Sequence, residues 1–252
     1  MSSTGPMNDI AIIGGTGLTT LDGLVITDRE VVRTPWGEPS GPISHGSLGG
    51  QKVAFLARHG SGHTIPPHKV NYRANIWALK QIGIQRIVAV AAVGGIHAAF
   101  TPAMLAIPDQ IVDYTGSRGH TFYEDDLTHV VHVDFADPYC PELRAALIRA
   151  ADEAKVDALD WGTYATTQGP RFESAAEIDK LERDGCHMVG MTGMPEAGLA
   201  REAGLRYAHC ALVSNAAAGR GEATISMEDI RKNLETGMRS VRELLESCLR
   251  TL

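Results

Sequence analysis

Seven apolar residues, Ile87-Val-Ala-Val-Ala-Ala-Val93, run without a polar interruption into Gly94-Gly95. The run has strand length, and a strand apolar on both sides has to be covered on both faces. That requirement favours a central sheet with helices packed against it. Ile10 to Ile13 repeats the pattern and ends in Gly14-Gly15-Thr16-Gly17. Helical spacing appears between such runs, first from Asn71 through Tyr72, Ile76, Leu79 and Ile82, closed by Gly83. Pro141 opens a second helix, with Leu143, Leu147, Ala150 and Ala154 on one face. Ser174 and Glu177 make a capping box for a third, and a fourth follows Thr192, Pro195 and Glu196 to about Ala203. The last starts near Ser226 and runs to Leu249, with Met227, Ile230 and Leu234 on one face.

Ile43 to Leu48 and Val53 to Ala57 form an expected hairpin, turned at Gly49-Gly50. Further strands are expected at Leu105 to Ile107, Ile111 to Tyr114, Trp161 to Thr167, Met188 to Met191 and Arg206 to Val213. Gly116 to Asp137 is polar and aperiodic, and a loop of that length inside a domain is usually functional or at an interface. No Pro/Ser-rich linker divides the 252 residues. The expected fold class is therefore α/β: a tail over 1–8, then a single domain over 9–252 with a central mixed β-sheet flanked by helices.

A formal charge of −7 argues against a nucleic-acid backbone as partner. Cys140, Cys186, Cys210 and Cys248 show no C-x-x-C spacing, as expected of reduced thiols in a cytoplasmic protein. Met1 to Asn8 lacks the regions of a signal peptide, and no apolar run reaches membrane-span length, so no membrane partner is expected. His120, His129 and His132 have no carboxylate at ligand spacing, so no metal is expected, and Gly14 to Gly17 match the dinucleotide fingerprint incompletely with no helix pattern after them, so no other cofactor is expected.

The densest concentration of chemistry is Arg58 to Asn75, which opens Arg-His-Gly-Ser-Gly-His directly after a strand. Ligands gather at the carboxyl ends of strands in open α/β sheets. Arg58 offers a planar fork of donors, His59 one or two more, and Gly60 and Gly62 admit backbone N–H groups to an oxyanion. Phosphate is the natural guest, and a solvated turn is the alternative. His68 reads as bracing the loop, while His63 stays open between bracing and ligand contact. The turn at Gly14 to Gly17 is a second candidate phosphate cradle, with Thr16 adding a hydroxyl.

Two more strand ends carry candidates. Gln168-Gly-Pro-Arg-Phe172-Glu173 leads into a helix, where Phe172 suits either the core or stacking on a heterocycle. Ser214-Asn215-Ala216-Ala217 ends the last strand, and Asn215 there offers an amide donor and a carbonyl acceptor, to a ligand or to its own backbone.

Taken together, Gly14-Gly-Thr-Gly17, Arg58-His-Gly with the segment ending at Asn75, Gln168-Gly-Pro-Arg-Phe172 and Val189-Gly-Met-Thr192 with Pro195-Glu196 resemble the trimeric purine nucleoside phosphorylases, in particular their methylthioadenosine phosphorylase branch. The resemblance implies a nucleoside phosphorylase-like fold, a homotrimer, a small-molecule nucleoside and inorganic phosphate as co-substrates, and no metal. It assigns Thr16, Arg58, His59, Ala92 and Thr192 to phosphate, Met191 to the ribose, and Phe172 and Glu173 to the base. His132 of a neighbouring copy, with Met227 and Ile230, would close the 5′ end. Arg58, His59 and Asn215 would be the catalytic groups.

The chain departs from that branch at one place. Where the adenine-specific branch has an Asp-Tyr-Asp triplet, this chain has Asn215-Ala216-Ala217. A carboxylate only accepts, whereas an amide donates to O6 and accepts from N7–H, so Asn215 suits a 6-oxopurine. Ile230 stands where inosine phosphorylases of the family place a histidine for the 5′-hydroxyl, and with Met227 it makes an apolar wall. The expectation is phosphorolysis of a 6-oxopurine nucleoside bearing a 5′-methylthio group. The alternatives are a general inosine/guanosine phosphorylase, a methylthioadenosine phosphorylase, or a catalytically silent purine-binding protein.

Overall fold

A computed structural model describes residues 9–16, 18, 21–125, 128–221 and 226–252. The expected tail over 1–8 and Gly17 of the glycine turn lie outside the described residues. Among the described residues, eleven strands follow in the order β1 (Ile10–Gly14), β2 (Val25–Glu30), β3 (Ile43–Leu48), β4 (Gln51–Ala57), β5 (Arg86–Gly95), β6 (Leu105–Ala106), β7 (Gln110–Asp113), β8 (Ala158–Leu159), β9 (Thr163–Thr166), β10 (Met188–Gly190) and β11 (Arg206–Ala216). The helices are α1 (Tyr72–Gln81), α2 (Pro141–Ala154), α3 (Ala175–Arg183), α4 (Gly193–Glu202) and α5 (Met227–Thr251).

The expected single α/β domain with a mixed central sheet is what the chain forms. β5 is its trunk, buried almost throughout. β1 and β11 pair with it in parallel, while β10 runs antiparallel to its final Gly94 and Gly95. One edge continues through β4, β3 and β2, the other through β9 and β7, and β6 and β8 branch from β11. Two large apolar clusters cover the faces. One sets α2 and α5 against Ile10, Ile12, Val88 and Val90; the other sets α1 and α4 against Ala11, Ile13, Ile87 and Ala89. Alternate residues of each strand thus enter opposite cores, as the pleat dictates.

Local signals account for most element ends. Gly49 and Gly50 have φ of 56° and 81°, the left-handed pair that a two-residue hairpin turn requires between β3 and β4. Ser174 accepts from the Glu177 N–H while the Glu177 side chain accepts from the Ser174 N–H, the expected capping box of α3. Ser226 caps α5. Three expectations need correction. β2 was not foreseen, because its Val-Ile-Thr-Asp-Arg-Glu is an exposed edge strand without an apolar face. Trp161 to Thr167 contributes a strand only over Thr163–Thr166, since Gly162 at φ 126° ends the extended geometry. β11 runs on past Val213 to Ala216, with a register shift between Val213 and Asn215.

Candidate active site

β1, β4, β5, β10 and β11 end around one cavity of about 360 Å³. Thr16 after β1, His59 after β4, Ala92 on β5 and Thr192 after β10 line it together with Phe172, Glu173, Asn215 and Ala217. Met191, Met227 and Ile230 complete the wall. The sequence-based candidates therefore converge, with two exceptions.

The first exception is Arg58. Its side chain is fully buried and does not line the cavity: Nε and Nη2 donate to the two carboxylate oxygens of Glu196, at 2.7 and 2.8 Å, and Nη1 to the Val90 carbonyl at 2.9 Å. In the chain alone the guanidinium expected to hold phosphate thus meets Glu196 and Val90. The core offers a carboxylate to a guanidinium that water cannot reach, and the pair satisfies both. Arg58 sits directly behind the glycine turn, since a Cβ on Gly15 would lie 2.8 Å from its Nη1. The second is His132, which was expected to serve a neighbouring copy and which is exposed on the irregular stretch, outside its own chain's cavity.

His59 is 6% exposed, and burial, then the charge of Arg58, pushes its pKa down to about 4. Its Nδ1 lies 2.7 Å from the Ile65 carbonyl, an acceptor only, so Nδ1 carries the proton and Nε2 presents a lone pair. The expected source of one or two donors is thus a neutral ring whose free nitrogen accepts. His63, at φ 51°, lines the cavity with its ring 4.8 Å from that of His59 and Nε2 3.5 Å from the Thr16 hydroxyl. His68 lies outside the cavity, and its Nδ1 is buried without a hydrogen bond among the described residues.

Thr192 is buried at the N-cap of α4, and its hydroxyl has no hydrogen-bond partner within the described chain. A buried polar group left unpaired is costly, so an orphan hydroxyl beside a cavity marks a place for a ligand oxygen. Asn215 is half-buried, donating from Nδ2 to the Ala216 carbonyl at 2.7 Å and accepting the Ser214 hydroxyl on Oδ1 at 2.7 Å. These bonds fix which way the amide faces, because an oxygen in place of Nδ2 would oppose a carbonyl. One N–H and one lone pair remain for a ligand. Both of the local and ligand-facing readings of Asn215 are therefore compatible with its geometry.

Of the apolar face expected on α5, Ile230 and Leu234 enter the core, and Ile230 also reaches the cavity wall. Met227, in the first turn, is 67% exposed at the cavity mouth. Ser214 and Arg118 were not foreseen. A serine before Asn215 carried no distinguishing signal, and Arg118 sits in a polar stretch where a cation looks solvated.

Residues 9–250 match the phosphorylase superfamily. A probable S-methyl-5′-thioinosine phosphorylase of Pseudomonas syringae pv. tomato is 54% identical over 243 residues, covering 96% of this chain and 99% of that protein. The 6-oxopurine nucleoside phosphorylase of Pyrococcus furiosus is 45% identical, covering 95% of this chain and 91% of that protein. Among solved structures, methylthioadenosine phosphorylase from Schistosoma mansoni in complex with adenine superimposes with a TM-score of 0.92 at 32% identity, over 97% of this chain and 91% of that one.

Proposed function

Because the chain belongs to the phosphorylase superfamily, we propose that it splits S-methyl-5′-thioinosine with inorganic phosphate, yielding hypoxanthine and 5-methylthioribose 1-phosphate. The observation that carries this reading is the composition of one cavity, with an amide, Asn215, at its base end and Ile230 and Met227 in its wall. An amide serves O6 and N7–H together, and an apolar wall accepts a methylthio group while leaving a hydroxyl unpaired.

In this reading a phosphate oxygen bonds to the anomeric carbon as the C–N bond breaks, and the bonding pair leaves with the purine. The dianion lies against the Thr16 and Thr192 hydroxyls and the Ala92 main chain. Neutral His59 accepts from the protonated phosphate oxygen, and Arg58 adds positive charge from behind Gly15 without touching the ligand. The protein acts through position and charge: phosphate stabilises the cationic sugar, and Asn215 stabilises the base as N7 takes a proton from solvent, balanced by the proton that hydrogen phosphate gives up in becoming the sugar phosphate dianion. Met191 borders the ribose, and Phe172 and Glu173 border the purine. No metal or other cofactor enters the reaction, and phosphate is a co-substrate. The reading includes a cytoplasmic homotrimer in which His132 of the partner subunit closes the 5′ end beside the exposed Met227.

A second reading, a general 6-oxopurine nucleoside phosphorylase, is favoured by that same exposure, which leaves the 5′ end open in a single chain. Phosphate-dependent base release from methylthioinosine, inosine, methylthioadenosine and adenosine separates them. Methylthioinosine is expected to be the best substrate. Equal turnover of inosine would establish the second reading, preference for methylthioadenosine would remove the role given to Asn215, and no release from any would leave a purine binder.

A further inference from the structure

Arg118 lies in the polar stretch between β7 and α2, where a cation is expected to face water, yet it is 8% exposed. Its Nη1 donates to the carbonyls of Met191 at 2.9 Å and Met194 at 2.6 Å. Nη2 donates to those of Gln168 at 2.9 Å and Thr167 at 3.3 Å, and Nε donates to the Gln168 side-chain oxygen at 3.1 Å. The guanidinium also lies over the Tyr72 ring, 5.4 Å from its centre, with Nη1 donating to the Tyr72 hydroxyl at 3.3 Å. A rigid planar fork can direct several donors at once, which an ammonium cannot.

These backbone acceptors belong to the loop after β9 and to the segment that runs from the end of β10 into the first turn of α4. The loop after β9 leads to Phe172 and Glu173; the loop after β10 carries Met191 and Thr192. They touch at Gly169, φ 61°, where a Cβ would collide with the Met191 sulfur and lie 3.1 Å from Pro67. Pro67 is another wall residue, and its carbonyl accepts from the Tyr72 hydroxyl at 3.0 Å. Four backbone carbonyls converging on one point repel each other unless a cation lies among them.

We propose that Arg118 is a positioning residue that sets the spacing between the base-facing and ribose-facing loops. This rests on the nucleoside reading of the cavity. Thr16, His59 and Ala92 follow or lie on β1, β4 and β5, away from these acceptors, and of the phosphate contacts only Thr192 lies between two of them, so the loss of Arg118 falls mainly on the nucleoside half of the site.

The test compares the wild-type protein with Arg118→Lys and Arg118→Gln. Calorimetry measures binding of hypoxanthine and of inorganic phosphate, and steady-state phosphorolysis gives separate KM values. Hypoxanthine affinity and nucleoside KM are expected to weaken about tenfold or more in both variants, and phosphate affinity, which Arg118 reaches only through Thr192, by no more than about threefold. Equal weakening of both ligands, or less folded protein with unchanged affinities in what remains, would show a purely structural role and overturn the proposal. Should Arg118→Gln not fold, Arg118→Lys decides alone, since full hypoxanthine affinity with lysine overturns the bridging geometry. Wild-type protein that binds phosphate but no purine would end the nucleoside reading, and this proposal with it.

Discussion

Arg58 and Glu196, 138 positions apart, meet in a two-point ion pair with both side chains fully buried. The Tyr207 hydroxyl donates to the same carboxylate at 2.9 Å. Burial by itself would lower the Arg58 pKa, and Glu196 more than reverses that, holding it above its ordinary value. The pair locks the strand end after β4 to α4, the two places from which His59 and Thr192 enter the cavity.

Glu196→Gln leaves a guanidinium buried without its counter-charge, and the expected cost is about 3–5 kcal/mol in urea denaturation. Replacing both partners, Arg58→Met with Glu196→Leu, is expected to recover most of that loss. A loss below about 1 kcal/mol in Glu196→Gln would mean that water reaches Arg58 in solution.

Thr192→Val removes a hydroxyl that has no partner in the described chain while nearly keeping its shape. Stability is expected to stay level or rise by a few tenths of a kcal/mol, and phosphate KM to rise about tenfold. A phosphate KM unchanged in this variant would take Thr192 out of the phosphate site.

Asn215→Asp places a carboxylate oxygen where Nδ2 now faces the Ala216 carbonyl at 2.7 Å. Methylthioinosine is expected to lose about 10- to 100-fold in kcat/KM, and the ratio for methylthioadenosine over methylthioinosine to rise. The measurement is that ratio in both proteins. If it does not move, Asn215 does not read the base.

Ile230→His introduces a hydrogen-bonding group at the apolar wall. The preference for methylthioinosine over inosine is expected to fall by about tenfold, read as a ratio of kcat/KM values. A preference unaffected by this change would place the 5′ group elsewhere.

The stability of the protein is expected to fall on acidification below about pH 6.5. His209 is fully buried, and burial, then Arg58, pushes its pKa down to about 3; His59 is held at about 4. Between these values and 6.5 the unfolded chain binds protons that the folded one refuses, so stability rises with pH there, by up to roughly 1.4 kcal/mol per pH unit for each ring. Urea midpoints at pH 7, 6 and 5 measure the slope, and His209→Gln should flatten it. An unchanged slope in that variant would assign the effect to other groups.

Short-range patterns in the sequence were sufficient for much of this molecule. Continuous apolar runs ending in glycine announced β1 and β5, Gly49-Gly50 announced a hairpin, and Ser174 with Glu177 announced the start of α3, because each depends on neighbours a few positions away. The same signals placed Thr16, His59, Phe172 and Asn215 at strand or loop ends, where a cavity can form. β2 escaped because an exposed edge strand need not show an apolar face. What only the tertiary structure decided were the partners of buried charge. Arg58 was legible as a strand-end cation, but Glu196 makes it a core ion pair; Arg118 went unread within a polar stretch, and four carbonyls from the end of β9 and the start of α4 draw it inside. Both outcomes turn on desolvation, and which acceptors meet a cation away from water is settled when distant strands pack.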